Sequence, residues 1–136
     1  MNRPVHFEIH ATDPEKIATF YSAVFGWEIK EWIIPGVTLP EENRYWLVTT
    51  GPNGVEGING GVVKRRGEAP VGGEAVNAYV CTMYVEDLDA ILEKAIAHGG
   101  VLALPKMPIK GMGYLAYAKD TDGNLFGMMQ ADATAQ

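Results

Sequence analysis

The stretch VHFEIHATD, residues 5–13, sets His6, Glu8 and His10 at every second position. Alternate side chains of an extended strand leave by the same face, so two imidazoles and a carboxylate share one side. Such a trio could ligate a divalent metal, move protons on a bound molecule, or meet water on a solvated sheet face. A strand rises about 3.3 Å per residue, which puts neighbours in the trio roughly 6.6 Å apart and its outer members about 13 Å apart at the backbone. His6 with Glu8, or Glu8 with His10, can share an ion at that spacing. All three on one centre would need a bulge, so a metal centre needs a further ligand from elsewhere. Proton transfer asks for less: Glu8 within hydrogen-bond reach of a substrate, with His10 or His6 to supply or relay the proton.

The elements that would carry these groups can be read from an internal repeat. An offset of 74 residues matches Asp13 to Asp87, Ile17 to Ile91, Ala23 to Ala97 and Gly26 to Gly100. Each half then reads as a strand, a helix begun by Asp and ended at Gly, and further strands. In the first half Asp13 suits the helix N-cap, Pro14 the first helical position and Glu15 the first turn. Ile17, Phe20, Tyr21 and Val24 follow at spacings of three and four, one apolar helix face. In the second half YVCTMYVE leads into a helix with Leu88, Ile91, Leu92 and Ala95 on its apolar face. His98 and the pair Gly99-Gly100 stand at its end.

Three strand-like segments follow each helix. They are WEIKEWII, NRYWLVTT and GINGGVV in the first half, and VLALPKM, YLAYAKD and NLFGMMQ in the second. Asn53-Gly54 and Asp122-Gly123 mark tight turns. The chain therefore reads as a single α+β domain over 1–136 made of two βαβββ modules, 1–64 and 76–130. Residues 65–75 form the connector, the basic run Lys64–Arg66 is a solvated linker, and the tail ADATAQ is frayed.

Bulk properties narrow the function. In 136 residues, 47% are hydrophobic and 21% charged, the balance of a globular protein rather than a disordered one. A net charge of −6 and a pI near 5.0 work against nucleic acid or an anionic membrane as partner. The opening residues lack the apolar run of a signal peptide, and no stretch approaches the roughly 20 apolar residues of a membrane span. A lone Cys81 cannot form an internal disulfide, which fits the cytoplasm. Its place in the apolar run AYVCTMYV argues for an inert core thiol.

The segments VHFEIHATDPEKIATFYSAVFGWEI, YVEDLDAILEKAIAHGGVLALPK and YAKDTDGNLFGMMQ, in that order, resemble the vicinal oxygen chelate superfamily. This family comprises glyoxalase I, bleomycin-resistance proteins and extradiol dioxygenases, and the likeness is strongest to small single-chain members related to lactoylglutathione lyase. The resemblance implies a half-open barrel of mixed sheet, with helices outside and a ligand cavity within, and a homodimer. It also implies metal ligands on the first and last strand of each module. The four places so marked are His6, Asn59, Val80 and Gly127, of which His6 alone matches the family pattern. That set is too poor in chelating groups for a family-type metal site, so no cofactor is expected; a divalent metal held through His6 is the weaker alternative. If Phe7 and Ile9 face the helices, then His6, Glu8 and His10 face the cavity, joined by Thr82, Tyr84 and Gly127 from the second module. Trp46 and Asn59 complete the ligand-binding set, and Tyr45 competes with Trp46 for the inward position. Two functions follow. One is a binding module for a small organic ligand with a polar end and an apolar body. The other is an isomerase or lyase of glyoxalase type acting on a small carbonyl compound, with Glu8 as base and His10 as its partner.

Overall fold

The structure, a computed structural model, describes residues 3–76 and 79–136. Ala78, which opens the apolar run around Cys81, and the first two residues of the amino terminus lie outside the described residues. The chain divides into two compact units, Met1–Ala69 and Pro70–Gln136.

The first unit runs β1 (His6–Ala11), α1 (Pro14–Phe25), β2 (Glu28–Glu31), a 3-10 turn (Glu41–Asn43), β3 (Tyr45–Thr49) and β4 (Asn59–Lys64). Helix α1 begins where the Asp13 carboxylate accepts the Lys16 N–H at 3.1 Å, with Pro14 pre-set for the first turn. It stops at Gly26, whose φ of 72° is left-handed and whose N–H donates to the Ser22 carbonyl. Ile17, Phe20, Tyr21 and Val24 are buried, each contributing roughly 1.5–3 kcal/mol of apolar burial. The strands form one sheet in the order β1-β4-β3-β2, with β1 parallel to β4 and the other pairs antiparallel. Ala11, Trp46, Val48 and Val62 are the buried residues of the sheet's helix side. Trp27 stacks on Tyr21 with centroids 5.1 Å apart and also meets Phe7. Strand β2 is shorter than its apolar run suggested: after Glu31 the chain turns at Pro35-Gly36, where the Val37 N–H bonds to the Ile34 carbonyl.

The second unit repeats the plan with β5 (Thr82–Tyr84), α2 (Leu88–Ala97), β6 (Val101–Ile109), β7 (Gly113–Lys119) and β8 (Leu125–Ala131). Its sheet order, β5-β8-β7-β6, is the same path over again, with β5 parallel to β8. Asp87 caps α2 by accepting the Ala90 N–H at 3.0 Å, and His98 is the residue that closes it. The D-x-D-G-N segment is a turn organised by one buried carboxylate. Asp120 accepts the backbone N–H groups of Asp122 and Asn124 and the Asn124 side-chain amide. The fold is thus α+β, built of two βαβββ modules. Both sheets are open, with edges at β1 and β2 and at β5 and β6. Among the described residues no helix is long and apolar enough to cross a membrane.

Three local expectations change. The tail is not frayed: Ala135 is buried, its carbonyl accepts the Gly111 N–H, and the Asp132 N–H bonds to the Met112 carbonyl. Cys81 is exposed rather than a core residue, because β5 begins only after it. The run Lys64–Arg66 is not a free linker. Lys64 ends β4, and Arg65 is tied to β1 through its own N–H on the Ala11 carbonyl and its guanidinium on the His10 carbonyl.

Candidate functional site

The registers sort the first sheet into two faces. Parallel pairing sets His6 beside Asn59, Glu8 beside Gly61 and His10 beside Val63, while antiparallel pairing sets Tyr45 beside Val63 and Leu47 beside Gly61. His6, Glu8 and His10 therefore share the face away from α1, all three exposed, and Phe7 and Ile9 turn toward the helix, half-buried. Tyr45 is on the trio's face. Trp46 is not: it lies buried on the opposite side, with the Arg44 guanidinium 4.7 Å over its ring. The expected ligand-binding role of Trp46 is corrected accordingly, because adjacent strand residues point to opposite faces and the helix side claims the indole.

Tyr45 carries the geometry of this face. Its ring leans across Gly61, where any side chain would collide with it, and its hydroxyl lies 2.8 Å from His6 Nε2. Burial pushes the phenol's pKa up, and the Glu8 charge and a hydrogen bond to the Glu8 carboxylate add to that effect. One phenol thus stands between an imidazole and a carboxylate and keeps its proton as a donor. The tandem Gly60-Gly61 was the signal for it, since glycine inside a strand marks close approach of a neighbour. Asn59 is committed locally: its Oδ1 accepts the Thr50 N–H at 2.9 Å across the β3–β4 turn. His10 belongs to a row with Val63 and Tyr45, extended by Trp32, whose ring meets Tyr45 edge-on at 6.4 Å.

On the second sheet, Thr82 and Tyr84 are exposed and lie opposite Gly127 and Met129. A Cβ on Gly127 would sit 2.8 Å from Thr82 Oγ1 and 3.0 Å from Tyr117 Cε1, so this glycine admits a tyrosine ring much as Gly61 does. The register also shifts one expected correspondence. Asn59 faces His6, but Gly127 faces Thr82, the repeat partner of Glu8; Gly127 therefore matches Gly61, and Leu125 is the residue that matches Asn59. The residue at the fourth family position is then leucine rather than glycine, and neither donates to a metal. Among the described residues no group of three or more His, Cys, Asp and Glu side chains could hold a metal ion. A family-type divalent ion does not fit these donors: His6 Nε2 already meets a phenol and the Asn59 carbonyl is used by Thr50.

The family model for the Glyoxalase/Bleomycin resistance protein/Dioxygenase superfamily matches residues 3–128. The chain belongs to this superfamily. Among proteins of related sequence is one from Mycobacterium bovis named "Putative glyoxylase CFP32", 25% identical over 131 residues, which cover 95% of this chain and 46% of the relative. The chain therefore spans less than half the length of the relative it matches. Among solved structures, glyoxalase I of Leishmania major superposes with a TM-score of 0.68 at 16% identity, covering 96% of this chain and 87% of the other. A variant of the fosfomycin resistance protein FosX from Listeria monocytogenes, solved with Mn(II) and a dihydroxypropylphosphonic acid, gives 0.67 at 19% identity over 97% and 92%. At these identities the structural likeness speaks to the fold.

Proposed function

We propose that this chain is a glyoxalase/bleomycin-resistance-like protein that binds a small organic ligand on the open face of its first sheet, without the family's metal centre. The observation that carries the reading is the Tyr45 phenol held over Gly61 between His6 and Glu8. A polar cluster of this kind does nothing for the helix-side core, whereas it offers a donor and an acceptor to a ligand's polar end. Thr82, Tyr84 and Gly127 are proposed as ligand-binding residues on the second module's own sheet, and a cytoplasmic homodimer as the working form. A thermal-shift screen with small polar-apolar compounds tests the binding. A true ligand at a hundredfold excess over its Kd stabilises the native state by about 2.7 kcal/mol, and that gain should shrink in Tyr45→Phe and Glu8→Gln. Compounds that stabilise all three proteins equally would overturn the assignment, and size measurements at micromolar and nanomolar concentration test the pairing.

The same phenol favours a second reading, an isomerase or lyase acting on a small carbonyl compound. Glu8 would take a proton next to the carbonyl, and Tyr45, rather than the His10 expected as its partner, would donate to the oxygen on which charge develops. His10 is placed one row away from Glu8. Glu8→Gln should then cut turnover of an identified substrate by at least about a hundredfold; unchanged turnover would remove the base from Glu8.

A further inference from the structure

Beside the Tyr45 cluster lies a hollow of about 420 Å³ that the proposed function does not use. Val63, Tyr45, His10, Asn43 and Arg66 line it. Three further charged residues reach its wall, Arg44, Lys64 and Glu42, and their partners decide its electrostatics. The Arg44 charge is answered by Glu31 at 2.7 Å, Glu41 at 3.0 Å and Glu15 at 3.2 Å. Lys64 Nζ donates to the backbone carbonyl of Thr12 at 2.5 Å, and Arg66 donates to the Asn43 side-chain carbonyl at 3.4 Å. Both acceptors are neutral. Alternation along β4 sends the Lys64 side chain to the helix side with Ala11, and Arg44 is matched by carboxylates, so Arg66 is the cation that faces the hollow, opposite the single carboxylate Glu42.

We infer that this hollow receives the acidic end of an organic anion whose flat apolar body lies along Tyr45 and Trp32. The inference rests on the ligand-binding reading above, since Tyr45 belongs to both. A guanidinium presents paired donors that match a carboxylate or phosphonate, and the Arg66–Asn43 bond is long enough to yield to a charged acceptor. Trp32 is half exposed beside Tyr45 and supplies the stacking edge. Arg66, the last residue of the basic run, thereby gains a use: the end of β4 sets it at the rim of the hollow.

Titration calorimetry with phenylacetate, phenylphosphonate and the neutral phenylacetamide tests this on the intact chain. Phenylacetate and phenylphosphonate should bind at least tenfold more tightly than the amide, with affinity falling as salt rises. Arg66→Gln should cost about tenfold, while Lys110→Gln, an exposed lysine in the second unit, should cost nothing. Equal binding of acid and amide, an unaffected Arg66→Gln, or no binding of either anion would overturn the inference. Should acid and amide bind equally yet both be lost in Tyr45→Phe, the anion assignment fails and the ligand face stands. Should binding depend on Arg66 and not on Tyr45, the hollow stands and the Tyr45 reading fails.

Discussion

Gly60 and Gly61 are neighbours in one strand, and replacing each with alanine should give different results for a geometric reason. A Cβ at Gly60 would meet the Phe7 backbone carbonyl and come within 2.8 Å of the Phe7 ring on the helix side. Backbone cannot step aside, so Gly60→Ala should cost the 1–3 kcal/mol typical of overpacking, or about that much again if β1 shifts. A Cβ at Gly61 would instead meet the outer atoms of the Tyr45 ring, with Cε1 at 2.6 Å. That ring can swing outward. The loss is then the phenol's hydrogen bonds to His6 and Glu8, both exposed residues whose groups water can reach, about 1 kcal/mol together, offset by the 0.5–1 kcal/mol that alanine gains over glycine within a strand. Neither glycine has positive φ, so backbone strain does not enter. Urea denaturation should therefore find Gly61→Ala within about 1 kcal/mol of wild type and Gly60→Ala clearly weaker. In Gly61→Ala the Tyr45 phenol, followed by NMR, should titrate closer to its ordinary value because it is less buried and has left Glu8. Equal stability losses at the two positions, or an unmoved Tyr45 titration, would refute the placement of the ring.

Other outcomes follow from named contacts. The raised Tyr45 pKa means that the folded chain holds the phenolic proton more tightly than the unfolded chain, whose value is near 10. Its contribution is complete below that pH and is lost as pH rises through the folded value, so Tyr45→Phe should flatten the alkaline stability profile. The Arg44 hydrogen bond lowers the Glu31 pKa below 4.5. That stabilisation is present above the ordinary value and vanishes as pH falls through the folded one, and Arg44→Met should weaken this acid dependence in pH-resolved melting. Asp13→Ala and Asp87→Ala should each cost about 0.5–2 kcal/mol by removing a helix cap; a loss at one site and none at the other would break the equivalence of the two modules.

What could be read from the sequence was whatever rests on local chemistry. Asp13, Pro14 and Gly26 announce α1, Asp87 and the glycines after His98 announce α2, and the offset between them anticipates two sheets with the same strand order. What eluded reading was register. A slip of one residue turns a strand inside out and the apolar pattern forbids it, but a slip of two leaves every side chain on its proper face. The pattern of β8 is as content with Gly127 at the place of Asn59 as at the place of Gly61, and only the pairing with Thr82 decides. Likewise, alternation in β3 says that Tyr45 and Trp46 part company but not which of them the helix side claims. The answer lies in a partner distant in sequence, Gly61, which clears space for the phenol, while the nearby Arg44 covers the indole. Cys81 was misplaced because β5 is only three residues long, too brief for an apolar run to mark its start.

The adjacent glycines of β4 leave a bare patch in the middle of the sheet. Successive residues face opposite ways, so at this spot both surfaces lack a side chain of their own, and Phe7 and Tyr45 close in from either side with only main chain between them. Elsewhere two layers of side chains insulate the helix from whatever touches the far surface. Here that insulation is missing, and a molecule that displaces Tyr45 should disturb the packing of Phe7 against Trp27, making the Trp27 indole a natural reporter of events on the other side of the sheet.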